Sequence, residues 1–147
     1  MKQLFIVTLI LACLSSNLSA NDCKCIPVPP GETTRAGANE EIVLSEKKPR
    51  KMLHGLVSDV NGEALSDVLV EVFDNPNAQG NGSQNRLAAC VTGEDGGFCF
   101  KNIPAGKYEL ILSKGSGWNR SHVYVVIAPR SHKSTKSGLN LPLQVGT

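Results

Sequence analysis

Five cysteines, three histidines and one tryptophan are the side chains of this 147-residue chain whose types lend themselves to chemistry or recognition. Cys23, Cys25, Cys90 and Cys99 form an even set, and in an exported chain such a set points to disulfides, with three pairings open to four cysteines. Cys23-Lys24-Cys25 and the later pair lack the two-residue spacing of zinc knuckles, so bridges are favoured over a metal site. His54, His122 and His132 stand at no close ligand spacing, and the first two fall on the outward phase of their runs, as solvated histidines do. Neither a His-Glu-x-x-His nor a Gly-x-Ser-x-Gly motif occurs. Asp59-Val60-Asn61-Gly62-Glu63 lacks the ligand spacing and closing glutamate of a calcium loop and reads as a turn. No catalytic residue, metal or cofactor is expected.

Two stretches are candidates for recognition. Asn77 and Asn81 lie in the amide- and glycine-rich stretch 75–85, where side-chain amides can donate and accept hydrogen bonds to sugar hydroxyls. Trp118 stands beside Arg120 in a glycine-rich turn, where an exposed indole can stack on a sugar or peptide. The structural alternatives are a solvated loop for the first and an indole capping the sandwich core for the second.

Elements must hold these residues in place, and the chain divides into three parts. Met1–Ala20 has a basic start at Lys2, an uncharged stretch from Leu4 to Leu14 and small residues at Ser19 and Ala20, the pattern of a secretory signal. The uncharged stretch is too short to span a bilayer, which needs about 20 apolar residues. Ile10-Leu11-Ala12-Cys13 also resembles a bacterial lipobox, so a lipid on Cys13 is the alternative to free secretion. Residues 21–50 are rich in proline and then in charge, and read as an extended tether in which Glu41–Leu44 has the composition of a short added strand. Residues 51–147 form the folded domain. The formal net charge of +2 argues against a nucleic-acid binder. Within the domain charge is uneven: residues 51–100 carry two basic and seven acidic groups, residues 101–147 seven and one.

Seven short runs alternate apolar and other residues: Leu53–Val57, Val68–Val72, Leu87–Val91, Phe98–Phe100, Tyr108–Leu112, Val123–Ile127 and Leu139–Val145. With turn residues between them, they predict a seven-stranded antiparallel β-sandwich, all-β, with the final strand at an edge or interrupted at Pro142. Placing Glu94 and Asp95 at a two-residue turn opposes Val91 to Phe98 and Cys90 to Cys99. That register sends Val91 and Phe98 into the core and brings Cys90 and Cys99 together on the outer face. A Cys90–Cys99 bridge is therefore expected, worth about 2 kcal/mol for so short a loop. The rival pairing has Cys23 and Cys25 reach these strands and tie the tether down.

Residues 53–145 resemble the carboxypeptidase regulatory-like domain, a prealbumin-like (transthyretin-like) β-sandwich. The resemblance rests on Gly55-Leu56-Val57-Ser58-Asp59-Val60-Asn61-Gly62-Glu63-Ala64-Leu65 and Val68-Leu69-Val70-Glu71-Val72. It continues in Thr92-Gly93-Glu94-Asp95-Gly96-Gly97-Phe98-Cys99-Phe100 and Ile103-Pro104-Ala105-Gly106-Lys107-Tyr108-Glu109-Leu110. It implies a non-catalytic accessory module, sometimes classed with carbohydrate-binding-like folds. Related pilin-type sandwiches carry a Lys–Asn isopeptide bond; here the inward positions Leu53, Gly55 and Val57 hold no lysine, so none is expected even though Asn140 lies on the last strand.

The expected function is a secreted, periplasmic or envelope-associated module that binds protein or glycan through end loops. A structural spacer, lipid-anchored at Cys13, is the alternative, and a minor hydrolase the remote third. Contact with a membrane is expected only through that lipid.

Overall fold

The computed structural model describes residues 24–29, 41–45, 52–74, 85–129 and 138–146. The signal Met1–Ala20, the lipidation candidate Cys13, Cys23, His132, and the loop candidates Asn77 and Asn81 lie outside them. Nine strands are present in that set: β1 (Ile26–Pro27), β2 (Glu41–Ser45), β3 (Leu53–Ser58), β4 (Leu69–Phe73), β5 (Arg86–Val91), β6 (Gly97–Phe100), β7 (Gly106–Ser113), β8 (Arg120–Ile127) and β9 (Leu139–Pro142). They form a sandwich of two sheets, one of six strands in the order β1-β5-β4-β7-β8-β2 and one of three in the order β6-β3-β9.

Each of the seven alternating runs forms a strand, because alternation is what a sheet with one buried face demands. The six-stranded sheet turns Val70, Val72, Leu110, Leu112, Val123 and Val125 inward, and the three-stranded sheet faces them with Leu53, Val57, Phe98, Leu139 and Leu141, all buried. Two strands come from the stretch expected as a tether. Glu41–Ser45 pairs with β8 and Ile26–Pro27 with β5, so this stretch is partly built into the sandwich.

The wholly antiparallel expectation is corrected at two places, since β2 runs parallel to β8 and β3 parallel to β9. Parallel neighbours cannot be joined by a tight turn, so these partners are remote in sequence and periodicity says nothing about which strands meet. The β3–β9 approach depends on Gly55. A Cβ built there would stand 2.3 Å from the Leu139 carbonyl oxygen, which only a residue without one avoids. β9 is an edge strand and ends at Pro142, where the missing N–H costs no ladder bond. Asn140 is exposed while Leu139 and Leu141 are buried.

The Gly93–Gly96 turn is present, with the Gly96 amide donating to the Gly93 carbonyl at 2.9 Å and Gly96 at φ 67°. It does not make the expected hairpin. β5 has β4 on one side and β1 on the other, so both its hydrogen-bonding edges are occupied and β6 pairs with β3 in the opposite sheet. The Gly96 carbonyl accepts from the Val57 amide at 2.8 Å, which draws the turn across to β3. As a result β5 has the opposite phase to the one expected: Cys90 is buried in the core, Val91 is half-buried, and Leu87 is 45% exposed.

Candidate functional site: a cysteine-lined cavity at the sheet edge

The first functional consequence of that crossover concerns the cysteines. The expected Cys90–Cys99 bridge is not formed: Cys90 carries a free thiol, as does Cys25, and both are buried. Cys90 and Cys99 belong to different sheets, and a disulfide needs the two Cβ atoms about 4 Å apart, which the direct opposition of one hairpin would have supplied. Cys99 is disulfide-bonded.

β1 brings Cys25 to this place. Its register against β5 pairs Ile26 with Val91 and Pro27 with Cys90, and the Val28 amide extends the contact by donating to the Ala89 carbonyl at 3.0 Å. The Cys25 thiol donates to the Cys99 carbonyl at 3.6 Å, which ties the added strand to the opposite sheet. Its sulfur also shares a hydrogen bond with the Cys90 thiol, and that bond is the main reason the Cys25 pKa falls to about 6 from its usual 9.0. The same bond, reinforced by burial, pushes the Cys90 thiol up. One sulfur of the pair thus ionises readily and the other holds its proton.

These cysteines line a cavity of about 500 Å³ between the β5 edge and β6. Its walls include Val28, Leu87, Ala88 and Phe100, with Arg86 and Lys101 supplying cationic groups. Arg86 is already engaged: one guanidinium nitrogen meets the Glu71 carboxylate at 2.9 Å and the other donates to the Pro29 carbonyl at 2.9 Å. It therefore fastens the chain beyond β1 as well as neutralising a buried acid. What the cavity offers a ligand is chiefly apolar surface, including the exposed side chain of Leu87.

Of the candidate recognition residues, Trp118 and Arg120 are described, and neither lines this cavity. Trp118 is half-buried and packs against the core, and the strand-like bridge from Trp118 to Val145 closes that end of the sandwich. The Asn119 amide, donating to the Gln144 carbonyl at 2.8 Å, holds the same closure. Arg120 opens β8 and is half-buried. The indole occupies the capping position that was the alternative to recognition.

His122 does not behave as the solvated histidine expected. It lies on the outer face of β8, but its Nδ1 is 2.5 Å from Glu109 Oε1 and the two side chains are 15% and 6% exposed. Glu71 and Glu109 are both buried acids on that face. The sequence signal for the first was a lone charge inside Val68–Val72; nothing nearby in sequence pointed to Arg86 as its partner. The Asp59 loop is a turn: Asp59 Oδ1 accepts from the Asn61 and Glu63 amides, both at 2.8 Å, and these bonds hold its carboxyl below the usual carboxylate range. Among the described residues no group of three or more His, Cys, Asp or Glu could hold a metal ion.

No family model and no curated protein matches the chain. Among solved structures, the crystal structure of a 3-chlorocatechol 1,2-dioxygenase from Rhodococcus opacus is similar at a TM-score of 0.42 and 13% identity, over 82% of this chain and 72% of that one.

Proposed function

We propose that this chain is an exported, non-catalytic β-sandwich module of the carboxypeptidase regulatory-like kind, which binds a protein partner by taking an apolar side chain into the cavity beside β5. The observation that carries this reading is the cavity of about 500 Å³, walled by Val28, Leu87, Ala88 and Phe100, with Leu87 exposed at its rim. Apolar concave surface with few polar groups suits an aliphatic or aromatic side chain better than a hydroxyl-rich sugar. Its place at a sheet edge, away from Trp118, supports recognition on the β5 side in preference to the Trp118 end.

The ionisable groups support a binding rather than a catalytic role, because their bonds are structural. Arg86 joins Glu71 to Pro29, Glu109 meets His122, and Asp59 closes a turn. The test is a peptide and glycan array probed with the mature protein. Peptide binding that is lost in Leu87→Asp and retained in Trp118→Ala supports the reading. Glycan binding abolished by Trp118→Ala overturns it in favour of the end loops, and a blank array favours a structural spacer.

A further inference from the structure

We propose that Cys25 and Cys90 are the two halves of a second disulfide, which fastens β1 to the β5 edge. The placement of the residues carries this. In the β1–β5 register Pro27 stands opposite Cys90, and side chains two apart on a strand share a face, so Cys25 is on the same face as Cys90 and diagonal to it. Both cysteines line the same cavity and belong to the buried core cluster. Diagonal neighbours stand farther apart than a disulfide spans, so closing the bond draws the bend at Cys25 towards β5.

A second observation is independent of that placement. Cys99, on the facing strand β6, is already disulfide-bonded, and Cys25 donates to its carbonyl oxygen. A corner in which one cysteine is oxidised is in a compartment where its neighbours are exposed to the same chemistry. The length of β1 supplies the need. It is a two-residue strand, and Pro27 and Pro29 have no N–H to add to the ladder. Hydrogen bonds alone hold such a strand weakly, whereas a covalent bond would keep the β5 edge covered and closed to strand pairing by other chains.

The oxidant is a protein disulfide of the thiol–disulfide oxidoreductase class. The Cys25 thiol gives up its proton, and its thiolate attacks one sulfur of the oxidant's disulfide. That sulfur–sulfur bond breaks, a mixed disulfide forms on Cys25, and the oxidant's other sulfur leaves as a thiolate. This thiolate takes the Cys90 proton, and the Cys90 sulfur attacks Cys25, releasing the oxidant's first sulfur, which takes up the proton given up by Cys25. Two electrons and two protons pass from the cysteine pair to the oxidant, which ends as a dithiol. Because both sulfurs are buried once β1 is seated, the exchange belongs to folding, before the strand docks.

Peptide mapping tests this directly on the wild-type chain exported to an oxidising compartment. The protein is denatured in iodoacetamide without reductant, then cut after lysine, arginine and glutamate. Cleavage at Lys24 separates Cys23 from Cys25, and cleavage at Glu94 separates Cys90 from Cys99. The expected result is one species linking the Cys25 and Cys90 peptides, with neither cysteine alkylated, and its disappearance on reduction. Alkylation of either cysteine, or a bond from either to a different cysteine, overturns the proposal. Cys90→Ala gives a second readout: in denaturant it should show a free Cys25 thiol that the wild-type chain lacks, and an unchanged thiol count would also overturn the proposal. Neither measurement depends on a binding partner, so a blank peptide array leaves the outcome untouched.

Discussion

The Thr92 hydroxyl donates to the Leu65 carbonyl oxygen at 2.7 Å and accepts from the Val68 amide at 3.1 Å, so one buried side chain completes the backbone on both sides of the bend leading into β4. Its own amide donates to the Val68 carbonyl at 2.9 Å, and its carbonyl accepts from Asp67, which sits at φ 56°. Residues 65–68 are thereby held to the end of β5 before the chain turns into the core.

Thr92→Val retains the shape and removes both side-chain bonds. The Val68 amide would lose its acceptor in a buried setting, at a cost of about 2 kcal/mol. Urea denaturation should show a lower midpoint with an unchanged slope. An unchanged midpoint would mean that water replaces the hydroxyl there.

Arg86→Met leaves the Glu71 carboxylate buried without its cation and also releases the Pro29 carbonyl. Removing one partner of such a pair costs about 3 kcal/mol, whereas replacing both by apolar groups can be near neutral. Thermal denaturation should therefore rank the double variant Glu71→Leu/Arg86→Met above the single one. A double variant as unstable as Arg86→Met would show that the Pro29 contact, not the buried charge, dominates.

Gly55→Ala places a methyl group within 2.3 Å of the Leu139 carbonyl, against backbone that cannot turn aside. The β3–β9 ladder has to part locally, and a loss of about 3 kcal/mol is expected, in the range of core overpacking. Hydrogen exchange should quicken first in Leu139–Pro142 and leave the six-stranded sheet protected.

Under reducing conditions the cysteine pair gives stability a pH dependence. Cys25 ionises near pH 6 in the folded protein and near its usual 9.0 when unfolded, so from pH 6 to 9 the unfolded chain binds more protons. Stability from this source is absent below pH 6, rises through that window and is complete above 9. Cys90 has the opposite shift, and above pH 9 the folded chain retains a proton the unfolded one loses, so stability then declines. Denaturation midpoints from pH 5 to 10 in reductant should rise and then fall, and Cys25→Ser should remove the rise.

The seven core strands were legible because burying one face of a sheet forces a period of two, and Val68–Val72 or Val123–Ile127 can satisfy it in only one phase. The Leu87–Val91 run was ambiguous, since Ala88, Ala89 and Cys90 are all small enough to face either way. The turn at Gly93–Gly96 was visible as a turn, but its chemistry does not say whether the next strand stays in the same sheet. Trp118 was open for a similar reason, because an indole suits a sandwich end and a ligand equally well.

Local composition by itself determined the two-layered sandwich, the edge position of Pro142 and the turns at Asp59 and Gly93. Only the tertiary structure decided that β1 occupies the free side of β5, that β6 therefore crosses to β3, and that Cys25 rather than Cys99 meets Cys90. The physical reason is that alternation is a property of each strand's own residues. Which strand takes a given edge is set by competition among segments far apart in the chain for the same backbone hydrogen bonds.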